Sequence, residues 1–318
     1  MTNKPAPGGT NNILNPNLSL NLKLSLSLCL ITRDEEQSLP ACLESIRDLA
    51  AEIIVVDTGS RDETIQIAAA AGARIFHFPW SGDFSAARNY ALSQAHGDWV
   101  LVLDADERLQ VVEHTTLRGL LDNEGADGYY LEIQNSLAPG LVSHDKAVRL
   151  FRNKPCYRFR GAIHEQIAPS ILEYGGPERL ACAPLVLLHE GYTPEKMKLK
   201  RKSERNIEIL ERELRLQPDD PFLLYCLGLE HYQNNQVGQG LAHLENALTH
   251  MPGGEGYLED AVLYTALGYF CLGHRQKLES FIAQALLMFP EHPDLLSLRS
   301  LSRLNPRGDC PPGEPPAS

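Results

Sequence analysis

Residues 100–109 read VLVLDADERL, so Asp104 and Asp106 stand one residue apart at the end of the apolar run Val100 to Leu103. A short, continuous apolar run is the pattern of a strand buried on both faces, as in a parallel sheet. Open α/β sheets bind their ligands in the crevice outside the carboxyl edges of such strands. Two carboxylates placed there can hold a hard divalent cation that keeps positions open for water and substrate phosphates. A lone DxD is weak evidence, because a solvated acidic turn has the same spelling. Three further apolar runs, however, also end in polar groups: Thr32, Arg33 and Asp34 after the first, Asp57 after the second, Asp83 after the third. Strand ends in a parallel sheet lie about 5 Å apart per step, and carboxylates gathered that closely repel unless a cation lies among them. The pattern predicts a divalent metal at one rim of a sheet.

The elements that must position these groups follow from period changes. Strand patterns fall at about Ser25 to Ile31, Ile53 to Val56, Ala73 to Phe78 and Asp98 to Leu103. Helical patterns fall between them: one after Thr32 with Pro40 near its start, one from Asp62 to Ala71 ended by Gly72, one from Phe84 to Ala95. Such alternation predicts right-handed crossovers and a parallel sheet. Leucine also occupies every second position from Leu18 to Leu30, too long a run for one strand, so its first part reads as a possible edge extension. Beyond Asp106 a helix is predicted over 113–121, with strands at 128–134, 147–151, 161–167 and 183–188, the last ending at His189. These pieces would wall the crevice.

From about Pro194 the pattern is helical. Pro218, Pro252 and Pro290 follow helical segments at spacings of 34 and 38 residues, the first being the tetratricopeptide period. Leu227-Gly228, Ala247 and Pro252 occupy that repeat's small and turn positions, while Leu224 and His231 depart from its aromatic ones. Two to three degenerate repeats are predicted. The domain plan is a disordered tail over 1–22, an α/β domain over 23–193, a helical domain over 194–304 and a Pro-rich disordered tail over 305–318.

A formal net charge of −12 argues against a sequence-independent grip on nucleic acid. The basic run KLKRKSER, Lys198 to Arg205, reads as a solvated helix face. Seven scattered cysteines without a CxxC pair suggest neither a disulfide framework nor a zinc site and fit a reducing cytosol. No apolar stretch reaches 18 residues and the first residues lack a signal-peptide pattern, so a cytoplasmic protein is expected.

The blocks LSLCLITRDEEQSLPACLESI, EIIVVDTGSRDET, FSAARNYALSQAHGDWVLVLDADE and RFRGAIHEQI, in that order, resemble a family-2 glycosyltransferase of the GT-A fold over about Ser25 to Tyr192. Within that family the chain is most similar to cytosolic members with a tetratricopeptide tail, which include peptide S-glycosyltransferases. The fold implied is α/β: a GT-A-type, mostly parallel sheet flanked by helices, followed by an all-α tetratricopeptide-like domain. The resemblance places Thr32 and Asp57 at the nucleotide, Asp57 accepting from a pyrimidine base edge, which favours a UDP-sugar donor. It places Arg88 near the nucleotide, Asp104 at the ribose or metal, and Asp106 where Mn²⁺ or Mg²⁺ bridges the diphosphate. Arg33, Asp34 and Asp83 are grouped with the donor site because they follow the same strand ends. An inverting transfer needs a base for the acceptor, and the resemblance offers Glu165 first and His164 second. His189 is a candidate third metal ligand. Plainer roles stand beside these: a helix cap for Asp57, a surface ion pair for Arg88, an ion pair of Glu165 with Arg158 or Arg160, packed histidines for His164 and His189, core positions for Trp80 and Trp99.

The activity implied is metal-dependent, inverting transfer of a sugar from a nucleotide-sugar donor to a saccharide, lipid or peptide acceptor, with a protein partner or a second copy held through the repeats. Nucleotidyl transfer is disfavoured by the acidic TRDEE where a Gly-rich basic loop belongs, and no GxxxxGK[ST] or strand-linked GxGxxG occurs. The remaining alternative is an inactive adaptor that binds peptides on its helical repeats.

Overall fold

Alternating apolar runs and amphipathic helices become layers in the computed structural model, which describes residues 25–138, 141–189, 196–254 and 256–304. Four strands run parallel: β1 (Leu26–Thr32), β2 (Glu52–Asp57), β3 (Arg74–His77) and β4 (Trp99–Val102). Between them lie the helices α1 (Leu39–Ile46), α2 (Thr64–Ala70) and α3 (Phe84–Gln94). Then come β5 (Glu107–Leu109), α4 (His114–Leu121), the hairpin β6 (Gly128–Ala138) and β7 (Leu141–Arg152), α5 (Ala168–Gly175) and β8 (Leu180–His189). One eight-stranded sheet results, in the order β3-β2-β1-β4-β7-β6-β8-β5. The β4–β7, β7–β6 and β8–β5 pairs are antiparallel and β6–β8 is parallel. The predicted mostly parallel sheet is therefore present in its first half, and the second half mixes directions.

The central strands carry apolar residues on both faces because each face is covered. Leu26, Leu28 and Leu30 pack with α1 on one side, while Cys29, Ile54, Val56, Val100 and Val102 meet α3 on the other. Trp99 is core, stacked on Tyr129, as expected. Register then sets the rim: Thr32 pairs with Asp57, and Val102 pairs with Cys29, so Asp104 leaves its strand beside the end of β1. Farther across the sheet, Asn135 pairs with His189 and His189 with Glu107, one row over three strands.

Residues 161–167 do not form the predicted strand. Gly161 (φ +96°) and His164 (φ +53°) turn the backbone, and a single bridge, Arg160 to Gln166, closes a loop. Its apolar residues serve two cores, Ile167 packing into the α/β domain and Ile163 into the helical one. α5 and the short β5 were not legible, and the hairpin is longer than its predicted strands. Residues Leu18 to Leu24 of the alternating leucine run, Cys310 and both predicted tails lie outside the described residues. The other six cysteines are free thiols.

Six helices follow: α6 (Lys196–Leu216), α7 (Pro221–Gln233), α8 (Val237–His250), α9 (Leu258–Cys271), α10 (Arg275–Met288) and α11 (Pro293–Leu304). α7–α8 and α9–α10 make two helical hairpins in which glycine permits close approach; a Cβ on Gly228 would meet Leu244 Cγ at 2.7 Å. The helical domain docks on the α/β domain. Leu210 of α6 and Leu224 of α7 share a core with Ala162 and Ile163, and Arg212 donates to the Ser81 and Gly82 carbonyls at 3.1 and 2.7 Å. No helix among the described residues is long and apolar enough to cross a membrane.

At the opposite, amino edge of the sheet, Glu52 joins three segments. Its carboxylate accepts from Ser27 Oγ (2.7 Å), His96 N (2.6 Å) and Arg74 Nη1 (2.7 Å). Burial pushes its pKa up, but these donors outweigh burial and hold it at about 2, below the usual 4.5. A depressed folded pKa contributes stability that is present above 4.5 and lost as pH falls toward 2. Urea unfolding of Glu52→Gln is therefore expected to show a loss of about 3 kcal/mol at pH 7 that shrinks as pH falls through this window.

Candidate active site

Arg88 is the hub of the rim. It lies on α3, is 6 % exposed, and its Nη2 donates to Asp104 Oδ1 at 2.7 Å while its Nε donates to Glu165 Oε1. Asp104 is shared: Arg149 Nη2 on β7 reaches Asp104 Oδ2 at 3.0 Å and Glu107 Oε1 at 2.7 Å. Glu107, 3 % exposed, also accepts from the Asp104 backbone N–H at 2.9 Å, closing the DADE turn. Three carboxylates and two guanidiniums thus alternate. Burial alone would push the Asp104 carboxyl up, but Arg88 and Arg149 bring it well below the usual carboxylate range. Glu107 goes the other way: burial and the nearby Asp104 raise its pKa against the pull of Arg149. The mutual repulsion of gathered carboxylates, expected to require a metal, is relieved at Asp104 by arginines. Both Asp104 oxygens are taken, so its candidacy as a metal ligand weakens.

Asp106 points elsewhere, to His189 Nε2 at 3.4 Å. His189 Nδ1 lies 2.7 Å from Asn135 Oδ1, and Asn135 Nδ2 donates to Asp145 at 2.6 Å, which fixes the amide with its oxygen toward the ring. Nδ1 therefore carries the proton, and the lone pair of neutral His189 at Nε2 faces a carboxylate. Two acceptors at that distance need a positive charge between them. A proton can supply it, and the hydrogen bond to Asp106 raises the His189 pKa. A divalent cation can supply it equally, with the second-shell Asn135 contact that metal-bound histidines generally make. Among the described residues no group of three or more His, Cys, Asp or Glu is set to enclose a metal, so phosphate oxygens and water would complete the shell. Asp106 and His189 fit the role.

The other predicted donor residues divide. Thr32 is buried beside the rim, its Oγ1 without a partner among the described residues, and Arg33 is exposed; both line the cavity. Asp57 does not reach it. Its carboxylate, in a residue 2 % exposed, accepts from Gly59 N at 3.0 Å and Ser60 N at 3.2 Å. It shapes the turn that carries Thr58 to the wall and does not cap α2, whose N-cap is Glu63. Asp34 (φ +56°) accepts from Arg61 N at 2.7 Å and braces the same turn. Asp83 is the N-cap of α3, accepting from Ala86 N at 2.9 Å. These three carboxylates organise backbone instead of facing the crevice.

A cavity of about 790 Å³ opens between the sheet rim, the 159–168 loop and the helical domain. Glu165 lines it, bonded to Arg88 and not to Arg158 or Arg160, and His164 lines it with its ring edge-on to Phe222 at 6.1 Å. Burial lowers the His164 pKa against the pull of Glu230 and Glu165, which favours neutral imidazole. Trp80 borders the cavity too, packed on Phe84, and is less of a core residue than expected. The basic run at 198–205 is not merely a solvated face, since Lys202 and Arg205 enter the wall. Arg149, Glu107, Asn135 and these two cations escaped the sequence reading. Only Glu107, three residues after Asp104, left a local signal.

This rim, with a mixed sheet and a carboxylate pair at the end of its fourth strand, is that of a GT-A-type α/β domain. Residues 27–160 match the model of Glycosyl transferase family 2. It is 38 % identical to a TPR repeat-containing protein of Synechococcus elongatus over 79 % of this chain and 62 % of that protein. It is 27 % identical to the SPbeta prophage-derived glycosyltransferase SunS of Bacillus subtilis, over 69 % of this chain and 52 % of SunS. The chain thus spans little more than half the length of these curated relatives. A S. aureus TarS fragment solved with UDP-GlcNAc superposes with a TM-score of 0.48 at 16 % identity, covering 91 % of this chain and 93 % of that one.

The alternating network makes Arg149 a structural necessity. Arg149→Met would strand Glu107 in the interior without its cation, and guanidinium unfolding is expected to register a loss of about 3–5 kcal/mol at neutral pH.

Proposed function

We propose that the chain transfers a glycosyl unit, with inversion, from a nucleoside diphosphate sugar to a nucleophilic acceptor in the 790 Å³ cavity. The observation that carries this reading is Arg88, which ties the rim carboxylate Asp104 to the cavity carboxylate Glu165 and so fixes donor and acceptor sides to one buried group. UDP as the nucleotide rests on the family resemblance. So does a Mn²⁺ or Mg²⁺ ion, to which the Asp106–His189 pair is suited; bound there, the ion would neutralise the departing diphosphate.

The residues of the chain supply the remaining steps. Thr32 and Thr58, side by side at the ends of β1 and β2, line the cavity where a nucleotide would enter from the rim. Glu165 Oε1 is held by Arg88, leaving Oε2 to accept the proton of the acceptor as its nucleophilic atom bonds the anomeric carbon and the bond to the diphosphate breaks. His164, exposed on the cavity wall and biased to the neutral form, is the second candidate base. Attack from the face opposite the diphosphate inverts the anomeric centre. The acceptor class is a saccharide, lipid or peptide, and the helical repeats offer a surface for a protein partner or a second copy. The adaptor alternative gains no support from a rim whose catalytic and charged groups are assembled.

Calorimetric titration of UDP is the direct test: binding that needs Mn²⁺ is expected, and its absence in the wild-type chain would sink the reading. Asp106→Asn should weaken Mn²⁺-dependent UDP binding by about tenfold or more. In a transfer assay with a panel of UDP-sugars followed by mass spectrometry, Glu165→Gln is expected to lower kcat by about 10²–10⁴-fold with little change in donor KM. A matching loss from His164→Gln alone would instead make the imidazole the base.

A further inference from the structure

The cavity is cationic in a chain whose formal net charge is −12. Six Lys or Arg side chains line it against four Asp or Glu. Arg88 and Arg149 are spent on Asp104, Glu107 and Glu165, and Lys146 lies opposite Glu132 across the hairpin. Arg33, Lys202 and Arg205 remain, with Glu35 and Asp145 the lining carboxylates outside those pairs. None of the three makes an ion pair with a carboxylate among the described residues, and two of them come from the helical domain.

Arg205 is held as a prepared guanidinium. Its side chain is half-buried, its plane lies over the Phe84 ring at 4.9 Å, and Nε and Nη2 donate to Asn206 Oδ1 at 3.2 and 2.9 Å. Asn206 is fixed in turn by Glu230 of α7, which is 6 % exposed and accepts from Asn206 Nδ2 and Ser203 Oγ, both at 2.6 Å. The partner on Arg205 itself is a neutral amide, so its charge is oriented but not cancelled. Burial disfavours the charged form and outweighs the pull of Glu230 and Glu165, while Arg33 repels it. A half-desolvated cation kept in this way gains most when a ligand brings the anion.

The donor does not use up that charge. A diphosphate diester carries two negative charges; with a divalent ion bound at Asp106 and His189, the diphosphate and Asp106 together would keep one negative charge, fewer than the three cations of the wall. We propose that the acceptor carries an anionic group, a phosphate or a carboxylate, and that Arg205 and Lys202 of α6, with Arg33, hold it while the nucleophile faces Glu165. The helical domain is then a working part of the active site and selects the acceptor by charge. This rests on the glycosyl-transfer reading of the cavity.

The test uses the full chain saturated with UDP and Mn²⁺, titrated calorimetrically with glycerol 3-phosphate and, in parallel, with glycerol. The phosphate ester is expected to bind and glycerol not. Arg205→Gln and Lys202→Gln should each weaken the phosphate ester by about tenfold while UDP affinity stays within about twofold, and Arg205→Lys should retain most of the binding. Thermal melts of each variant report whether the fold is kept. If these variants weaken UDP and the phosphate ester fails to bind the UDP-loaded chain, the wall serves the donor and the proposal falls. Phosphate binding indifferent to Arg205 and Lys202 overturns it as well. Should wild-type UDP binding be absent, the transfer reading fails separately, and titration of the ester into the chain alone still reads the wall.

Discussion

A single buried guanidinium constrains this structure. Arg88 is placed by α3 beneath the carboxyl rim of the sheet, where it loses most of its hydration, and it is tolerable there only because Asp104 and Glu165 accept its charge. Each of those carboxylates belongs to a different layer. Asp104 ends the central strand, and Glu165 belongs to the loop that the helical domain covers. Electrical neutrality therefore ties the sheet, the loop and the cavity together. Arg149 and Glu107 extend the same alternation of sign, so that removing Arg88 deprives Glu165, and removing Arg149 deprives Glu107, of its cation.

The two ends of the DAD motif have different duties. Asp104 is consumed in holding the rim together, whereas Asp106 faces His189, whose ring is fixed by Asn135 and Asp145. The chain turns at Ala105 and Asp106 between β4 and β5, so the two carboxylates do not share one strand face. A motif that reads as a pair in sequence is thereby divided between the arginine network and the contact with His189.

The helical domain is an extension of the site as much as a repeat array. Its first helix carries Leu210 into the shared core and Lys202 and Arg205 into the cavity, and the buried Glu230 on the next helix orients the latter. Packing energy holds α6 against the 159–168 loop, which allows polar groups on its other side to be aimed precisely enough to meet a ligand.

Local pattern in the sequence determined what is local in physics. Four apolar runs, the helices between them, the helical tail and the polar groups at the strand ends follow from periodicities of two and 3.6 residues, and β1 to β4 appear within about two residues of their predicted bounds. The blocks around Thr32, Arg88, Asp104 and Glu165 hold residues that line one cavity. The tertiary structure alone decided which carboxylates are free. Asp34, Asp57 and Asp83 look equivalent to Asp106 in one dimension, but backbone N–H groups of nearby turns claim the first three. It also decided that residues 161–167 form a loop, since Ile163 and Ile167 feed two separate cores, and that Arg149, 45 residues from Asp104, completes the network. Hydrogen-bond and charge partners brought together by sheet register and domain docking leave no periodic trace in the chain, because their spacing is set by the fold and not by the repeat of any helix or strand.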